Sequence, residues 1–548
     1  MNRQSALGNR KWTLTALVAV SVFVFLLTPP APRRVSVAGW DDLARRTVAG
    51  AYHVHTTRSD GHGGKAAVAA AAARAGLTFV ILTDHGDGTR PPDPPEYVDG
   101  VLMLDAVEIS TDDGHYVALD MPPAPYPLGG AGQAVIEDVR RLGGFGIAAH
   151  PDSPKAALRW TDAAAGIDGL EWINADSEWR DETRRALVRA GLGYVLRPAA
   201  ALATLLDRPL TLDRWDALLR GGRHVVALGG ADAHGGPGQR IEDQSRTLFS
   251  TIGIPSYEAS FRELSVRAVL DEAPSGRAAA DAGAIFTAIR RGRVFTVIDA
   301  LASPALLDLH AVPSGATVTI VARATLPAGA QTVLIGPAGE LVRSNGELRY
   351  EVPPGHPAAY RVEVRLAAAP GQPPVPWLVS NPVYVGSATA PPAPDASVPP
   401  VASTAAPFPW RIEKDAASSG TLRTSAASAE LEYRLAAGAR ANQFVALATD
   451  LRHQAFSAIH LGLRSDRPAR VGVQVRSEDG RRWGRSFFVD PAGTSVQVGL
   501  GELRPIGAST GALPPSDALT SILVVVDLTN AVPGATGRLM VLSSELVK

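Results

Sequence analysis

Chemistry in this sequence concentrates on histidine. Eight of the twelve histidines fall between residues 53 and 234. Five of these stand at or just beyond the ends of short apolar runs: His53 and His55 in "AYHVHT", His85 in "TDH", His150 in "AAHP" and His234 in "GGADAH". Three carboxylates occupy comparable places, Asp60 in "SDG", Glu108 in "VEIS" and Asp232 in "ADAH". Alternate residues of a strand share a face, so His53 and His55 are expected to point the same way, as joint ligands of one ion must. Imidazole and carboxylate together suit Zn, Mn or Fe, and a carboxylate bridging two ions is the usual way to hold a pair.

Other chemistries are excluded by composition or by spacing. There is no cysteine, which removes thiolate zinc sites, disulfides, cysteine nucleophiles and the ligands of zinc deaminases. Formal net charge is -1, so no basic excess exists to hold a nucleic-acid backbone. The glycine-rich "GHGGKA" fails as a phosphate loop, with Ser59 where glycine is needed and Ala66 where serine or threonine is needed. No H-E-x-x-H occurs. His62, in that same loop, reads as a solvated loop histidine, and His224 falls at the wrong end of its strand.

The elements that must position these groups are short apolar strands alternating with alanine-rich helices. "VAGAYHVHT", "GLTFVILTDH", "GVLMLDAVEIS", "GFGIAAHP", "GLEWINAD", "AGLGYVLRP" and "HVVALGGADAH" read as seven strands, with helices such as "GKAAVAAAAARAG" and "AVIEDVRRLGG" between them. Continuous apolar strands separated by helices predict a parallel sheet. The expected fold is α/β: a distorted seven-stranded β/α (TIM-like) barrel over residues 39–300, followed by two all-β sandwich domains. In such a barrel the strand ends converge on one face, which brings residues distant in sequence together.

After residue 300 the helical pattern stops. Residues 301–385 read as a small β-sandwich and 410–548 as a C-terminal, jelly-roll-like β-sandwich. Residues 386–409 carry seven prolines and one charge, the composition of an extended linker. At the other end, Arg3, Arg10 and Lys11 precede the apolar run 12–28, with small residues near Ala38. Residues 1–38 therefore read as a signal peptide or signal-anchor, placing the protein in the periplasm or outside the cell, with 12–28 as a possible membrane anchor.

The ordered motifs "HVHTTRSDG", "TDH", "AAHP" and "GGADAH" resemble the PHP family (polymerase and histidinol phosphatase) over residues 45–300. "EWINADSEWRD" and "PWLVSNPVYV" are similar to its carbaryl hydrolase-like branch. The resemblance implies a bi- or trinuclear centre of Mn, Zn or Fe that hydrolyses phosphate esters. It implies that His53, His55, Glu108 and Asp232 hold one ion. Glu108 would bridge to a second, completed by His150 and by His115, which either binds the ion or braces a ligand. Asp60, His85 and His234 would hold a third ion or complete the second. A water acidified by the ions attacks phosphorus, with Asp232 or His234 moving a proton.

Arg58, Lys155 and Arg180 are the candidates for gripping substrate charge. Two other readings stand beside this one: a hydrolase of carbamates or carboxylic esters, and a non-catalytic exported protein that binds glycans. The aromatics Trp483, Phe487 and Phe488 are the sequence's pointer to carbohydrate at the C-terminal unit, against a packing role for the same rings.

Overall fold

The computed structural model describes residues 24–548 except 26, 164, 237–253, 316, 356, 387–407, 426–427, 441, 452–454 and 508. Most of the apolar run 12–28, with the basic residues before it, and most of the proline-rich 386–409 lie outside the described residues. Among the described residues no helix is long and apolar enough to cross a membrane.

The apolar runs form strands. Most of these strands are buried on both faces, as expected where helices or a second sheet cover each side, while the short His85–Gly86 strand is exposed. The strands are β1 (Thr47–Val54), β2 (Phe79–Leu82), β3 (His85–Gly86), β4 (Val101–Asp105), β5 (Val107–Thr111) and β6 (Gly114–Leu119). Then come β7 (Phe145–Ala148), β8 (Gly169–Asn174), β9 (Val226–Gly230), β10 (Ser265–Val269) and β11 (Val294–Val297). The helices used below are α1 (Lys65–Ala75), α2 (Gly132–Arg141), α3 (Arg184–Tyr194), α4 (Thr211–Arg220) and α5 (Tyr257–Glu263).

Strand pairing gives two mixed sheets in place of the expected single closed barrel of parallel strands. One contains the run β4–β2–β1–β10–β11, parallel through β4, β2 and β1 and antiparallel beyond. The other runs β9–β8–β7–β6–β5–β3, with antiparallel pairs on both sides of β6. The difference has local causes. "GVLMLDAVEIS" breaks at Ala106 into two strands that join different sheets, and the tight turn from Thr111 to Gly114 sends β6 straight back along β5. "AGLGYVLRP" is not a strand: its first residues end α3, which Thr183 caps by accepting the Ala186 N–H at 3.2 Å.

The two sheets are stitched at the ends of β1 and β2. Val54 bridges in parallel to Ala233, and the His55 N–H donates to the Ala233 carbonyl at 2.9 Å. On the other side the Glu108 N–H donates to the Asp84 carbonyl at 3.2 Å, and His85 pairs with Glu108. Every predicted ligand lies near these stitches.

The first sheet runs past residue 300 without a break. β11 pairs with Leu378–Ser380, which pairs in turn with Ala358–Leu366. Arg361, fully buried, donates to Asp216 of α4 at 2.7 and 2.9 Å and to Glu363 at 2.9 Å. Asn381, in the "PWLVSNPVYV" stretch, holds both backbone groups of Ala227 in β9, at 2.7 and 2.8 Å. A three-stranded sheet, 307–314, 317–324 and 348–352, completes this part.

From residue 410 the chain forms two antiparallel sheets of six and five strands packed over their own core. This sandwich docks on α2. Arg470 is buried between Glu137 (2.6 Å) and Asp138 (3.0 Å), Arg485 reaches Glu137 at 2.9 Å, and Arg504 reaches Asp162 at 3.0 Å. The aromatics singled out in the sequence are engaged in packing. Trp483 is fully buried in the core, the Arg141 guanidinium lies 3.6 Å from the Phe488 ring centre, and Arg485 lies over Phe487 at 5.1 Å.

Candidate metal centre

Backbone strain marks the places where ligand side chains leave their strands. His53, His150 and Asp232 take positive φ of 64°, 33° and 44°, in the left-handed region that costs non-glycine residues energy. The expectation that His53 and His55 share a face holds for a reason other than simple alternation. The β1–β2 register shifts between Ala51 and Val54, His53 is turned by its φ, and His55 lies just past the strand. Both Nε2 atoms nevertheless converge: each lies 3.3 Å from Glu108 Oε2, and they lie 3.5 and 3.3 Å from Asp232 Oδ1.

Glu108 is the hub. Its Oε1 faces His115 Nδ1 at 2.8 Å and His150 Nε2 at 2.9 Å, while Oε2 also faces His85 Nδ1 at 3.1 Å. Asp60 sits opposite, near His55 Nδ1 (3.4 Å), His85 Nε2 (3.6 Å) and His234 Nε2 (3.4 Å). All nine residues expected as ligands therefore gather in one cluster. Four overlapping groups have ligand atoms within 4.8 Å of one another: His53, His55 and Glu108; His53, His150 and Asp232; His55, Asp60 and His234; His85, Glu108 and His115.

Two buried polar atoms favour cations here. His53 Nε2 and Glu108 Oε2 are buried without any hydrogen-bond partner among the described residues, a costly arrangement for a folded core. A divalent cation between them would satisfy both. Nitrogen and oxygen donors without sulfur suit Mn, Fe or Zn.

The far sides of the rings are tied down. His53 Nδ1–H donates to Glu171 at 2.5 Å, His150 Nδ1–H to the Leu158 carbonyl at 3.0 Å, and His234 Nδ1–H to the Asp232 carbonyl at 2.8 Å. Each bond leaves Nε2 aimed into the cluster, the usual bracing of metal-ligating histidines. Glu171 is the residue that sequence reading passed over. It is fully buried in β8, and a β-carbon on Gly230 would come within 2.5 Å of its Oε1, so glycine there makes its room. A charged residue inside the apolar "GLEWIN" was the available signal. Asp84 of "TDH" likewise shapes the first loop, accepting from the Thr56 N–H (2.7 Å), Ser59 Oγ (2.7 Å) and Thr56 Oγ (2.8 Å). Tyr257 of α5 braces the same loop by donating to the His55 carbonyl at 2.8 Å.

Electrostatics follow the mutual charges. Burial alone would raise the Glu108 carboxyl, but the charges of His53, His115 and His85 hold it well below the usual range. Burial opposes protonation of His53, yet Asp232, Glu171 and Glu108 raise it well above an ordinary histidine. His234 is pushed up to about 9, with Asp60 and Asp232 outweighing its burial. His55 goes the other way, lowered by burial and by His234. The upward shifts of His53 and His234 favour their protonated forms, so cations bound there would displace protons.

The centre opens on one side. The His85 side chain is 34% exposed and Asp60 16%, whereas His53, His55 and Glu108 are sealed. Arg58 lines a cavity of about 180 Å³ beside His85, together with Arg90, which sequence reading did not name. Both guanidiniums bind Asp105, at 3.1 Å and at 2.8 and 3.0 Å. Arg180 is clamped by Asp176 at 2.7 Å and lies over Trp179; Asp176 and Trp179 line a small cavity with Asp232 and His234. Lys155 lies on the exposed turn between His150 and Leu158. His62 donates its backbone N–H to the His234 carbonyl at 2.7 Å, and His224 stacks on Tyr384 at 3.8 Å.

No protein-family model and no curated protein matches the chain. Among solved structures, a two-domain protein from Bacteroides vulgatus containing a predicted PHP-like metal-dependent phosphoesterase is 14% identical, with a TM-score of 0.29. That match covers 65% of this chain and 99% of the other. The family 11 carbohydrate-binding module of the cellulase Lic26A-Cel5E of Clostridium thermocellum is 12% identical, with a TM-score of 0.21, covering 25% of this chain and 86% of the module.

Proposed function

We propose that this chain is an exported, metal-dependent hydrolase of phosphoesters, with residues 12–28 as the core of a signal peptide or as a membrane anchor. The observation that carries the reading is Glu108, a sealed carboxylate with two histidine nitrogens around one oxygen and three around the other. A carboxylate so surrounded is placed to bridge two cations. The motifs that resemble the PHP family agree with it.

His53, His55, Glu108 and Asp232 would hold one ion, and Glu108, His115 and His150 a second. Asp60, His85 and His234 would hold a third or complete the second. When bound, such ions supply Lewis acidity toward a phosphoryl oxygen and an acidified water. The chain's own residues do the rest. Glu171 orients His53, burial keeps bulk water from the inner ligands, and the exposed edge at His85 meets the substrate. Arg58 and Arg90 line that entrance and counter phosphate charge. Where His234 holds no ion, its Nε2, facing Asp60, can carry a proton, with Asp232 beside the ring.

Metal analysis of the purified full chain tests the reading together with a panel of phosphomonoesters, phosphodiesters, aryl carbamates and carboxylic esters supplied with Mn, Fe or Zn. Two or more ions per chain and chelator-sensitive phosphoester hydrolysis are expected. Fewer than two ions overturns the reading, and hydrolysis of carbamates or carboxylic esters alone replaces the substrate class.

A further inference from the structure

Helix α3 and the turn after it present a face that no described residue covers. Val188, Leu192, Val195 and Leu196 are 64, 47, 83 and 43% exposed, and their spacing puts them on one side of the helix. Seven large apolar residues among the described residues are at least 43% exposed. These four form one patch, and Phe25 (79%), on the segment leading to it with Val24 (42%) beside it, is another. Arg184, Arg185, Arg189 and Arg197 are exposed in the same span, and residues 184–197 contain no acidic residue.

The point where the N-terminal run meets the folded chain lies on this helix. Pro29 is buried, and a β-carbon on Gly193 would come within 2.9 Å of its ring and 3.2 Å of the Leu27 carbonyl. Arg197 Nη1 donates to the Pro29 carbonyl at 2.7 Å. From there the chain is fixed, with Arg33–Arg34 paired to Ala302–Ser303 and Val35 buried in the core. The apolar run 12–28 therefore joins the folded chain beside the apolar and basic face of α3.

We propose that α3 lies in the headgroup layer of an anionic bilayer, its apolar stripe at the acyl boundary and its arginines among the lipid phosphates. The inference rests on reading residues 12–28 as a membrane anchor. The charge of the face selects its occupant: a basic amphipathic helix is attracted to anionic lipid while burying its apolar side. The anchor supplies the second attachment that holds a marginal surface helix in place.

The absence of cysteine makes the test direct. Full-length chains carrying Val188→Cys or Leu192→Cys, with Arg349→Cys as control, take an environment-sensitive fluorophore. They are then mixed with vesicles of phosphatidylcholine and phosphatidylglycerol, with and without a nitroxide lipid. Labels at 188 and 192 are expected to shift blue and lose about half or more of their emission to the nitroxide, while the control does neither. Combined Arg185→Glu and Arg189→Glu substitutions should weaken quenching on anionic vesicles only. Flotation of the same samples reads the anchor separately. Protein that floats with its 188 and 192 labels unquenched overturns the α3 assignment and leaves the anchor intact; protein that does not float overturns both. Labels already blue before vesicles are added also overturn it, because another part of the chain or a second copy then covers the stripe.

Discussion

Glu171 and His53 are joined by a 2.5 Å hydrogen bond in a fully buried place, and the same carboxylate takes the His150 N–H at 2.7 Å and the Asn174 amide at 2.8 Å. One side chain from the middle of β8 thus orients a residue at the end of β1 and another just after β7. It touches none of the positions where ligand atoms meet.

Glu171→Gln should lower metal affinity about 10- to 100-fold while the fold persists, because His53 then faces a neutral amide in place of the carboxylate that orients it and raises its basicity. Titration of the chelator-stripped protein with Mn or Zn, read by calorimetry, checks this. An unchanged dissociation constant would remove Glu171 from the account.

Glu108→Gln should cost at least one ion per chain by elemental analysis, and about 100-fold or more in phosphoester turnover. His53→Ala should act in the same direction. Full activity in either variant would show that the catalytic centre lies elsewhere.

Arg470→Met should loosen the C-terminal sandwich without touching the metal centre. Removing one partner from a buried ionic cluster costs about 3–5 kcal/mol, because Glu137 and Asp138 lose the cation buried between them and keep, among the described residues, only Arg485 and Arg141. Calorimetry should show a separate, earlier transition for that unit, with metal content unchanged. A single unshifted transition would count against the docking role.

Glu178 gives stability a pH dependence. Burial, with Asp181, Asp207 and Asp152 near, pushes its carboxyl up from an ordinary 4.5 to about 8. Between those values the folded chain keeps a proton that the unfolded chain has lost, so this contribution to stability falls as pH rises from 4.5 and levels off above 8. Glu178→Gln should therefore match the parent's melting temperature near pH 4.5 and exceed it near pH 8. Equal melting temperatures across that range would contradict the shift.

The candidate ligands were legible because histidines and carboxylates at the ends of apolar runs are a local pattern. His53, His55, Asp60, His85, Glu108, His150 and the Asp232–His234 pair each carry a signal in their own few residues. Their spatial convergence was an inference from strand-end geometry, and it survives although the sheet architecture differs. Strand direction was not legible, because it depends on whether the chain turns within three residues, as at Thr111–Gly114, or crosses over by a helix. "AGLGYVLRP" shows a related failure: its apolar residues suit a strand, but the cap at Thr183 starts a helix whose stripe finds no cover among the described residues.

What the sequence determined by itself was chemistry: nitrogen and oxygen donors, no sulfur, no basic excess and an apolar run near the start. What only the tertiary structure decided was which groups stand behind the ligands and what the other units touch. Glu171 became visible because Gly230, nearly sixty residues away, leaves room for its carboxylate. Asn381 proved to hold β9, and Arg470 to hold α2. Those roles depend on contacts between segments far apart along the chain, and no local pattern encodes which buried polar group will meet which partner.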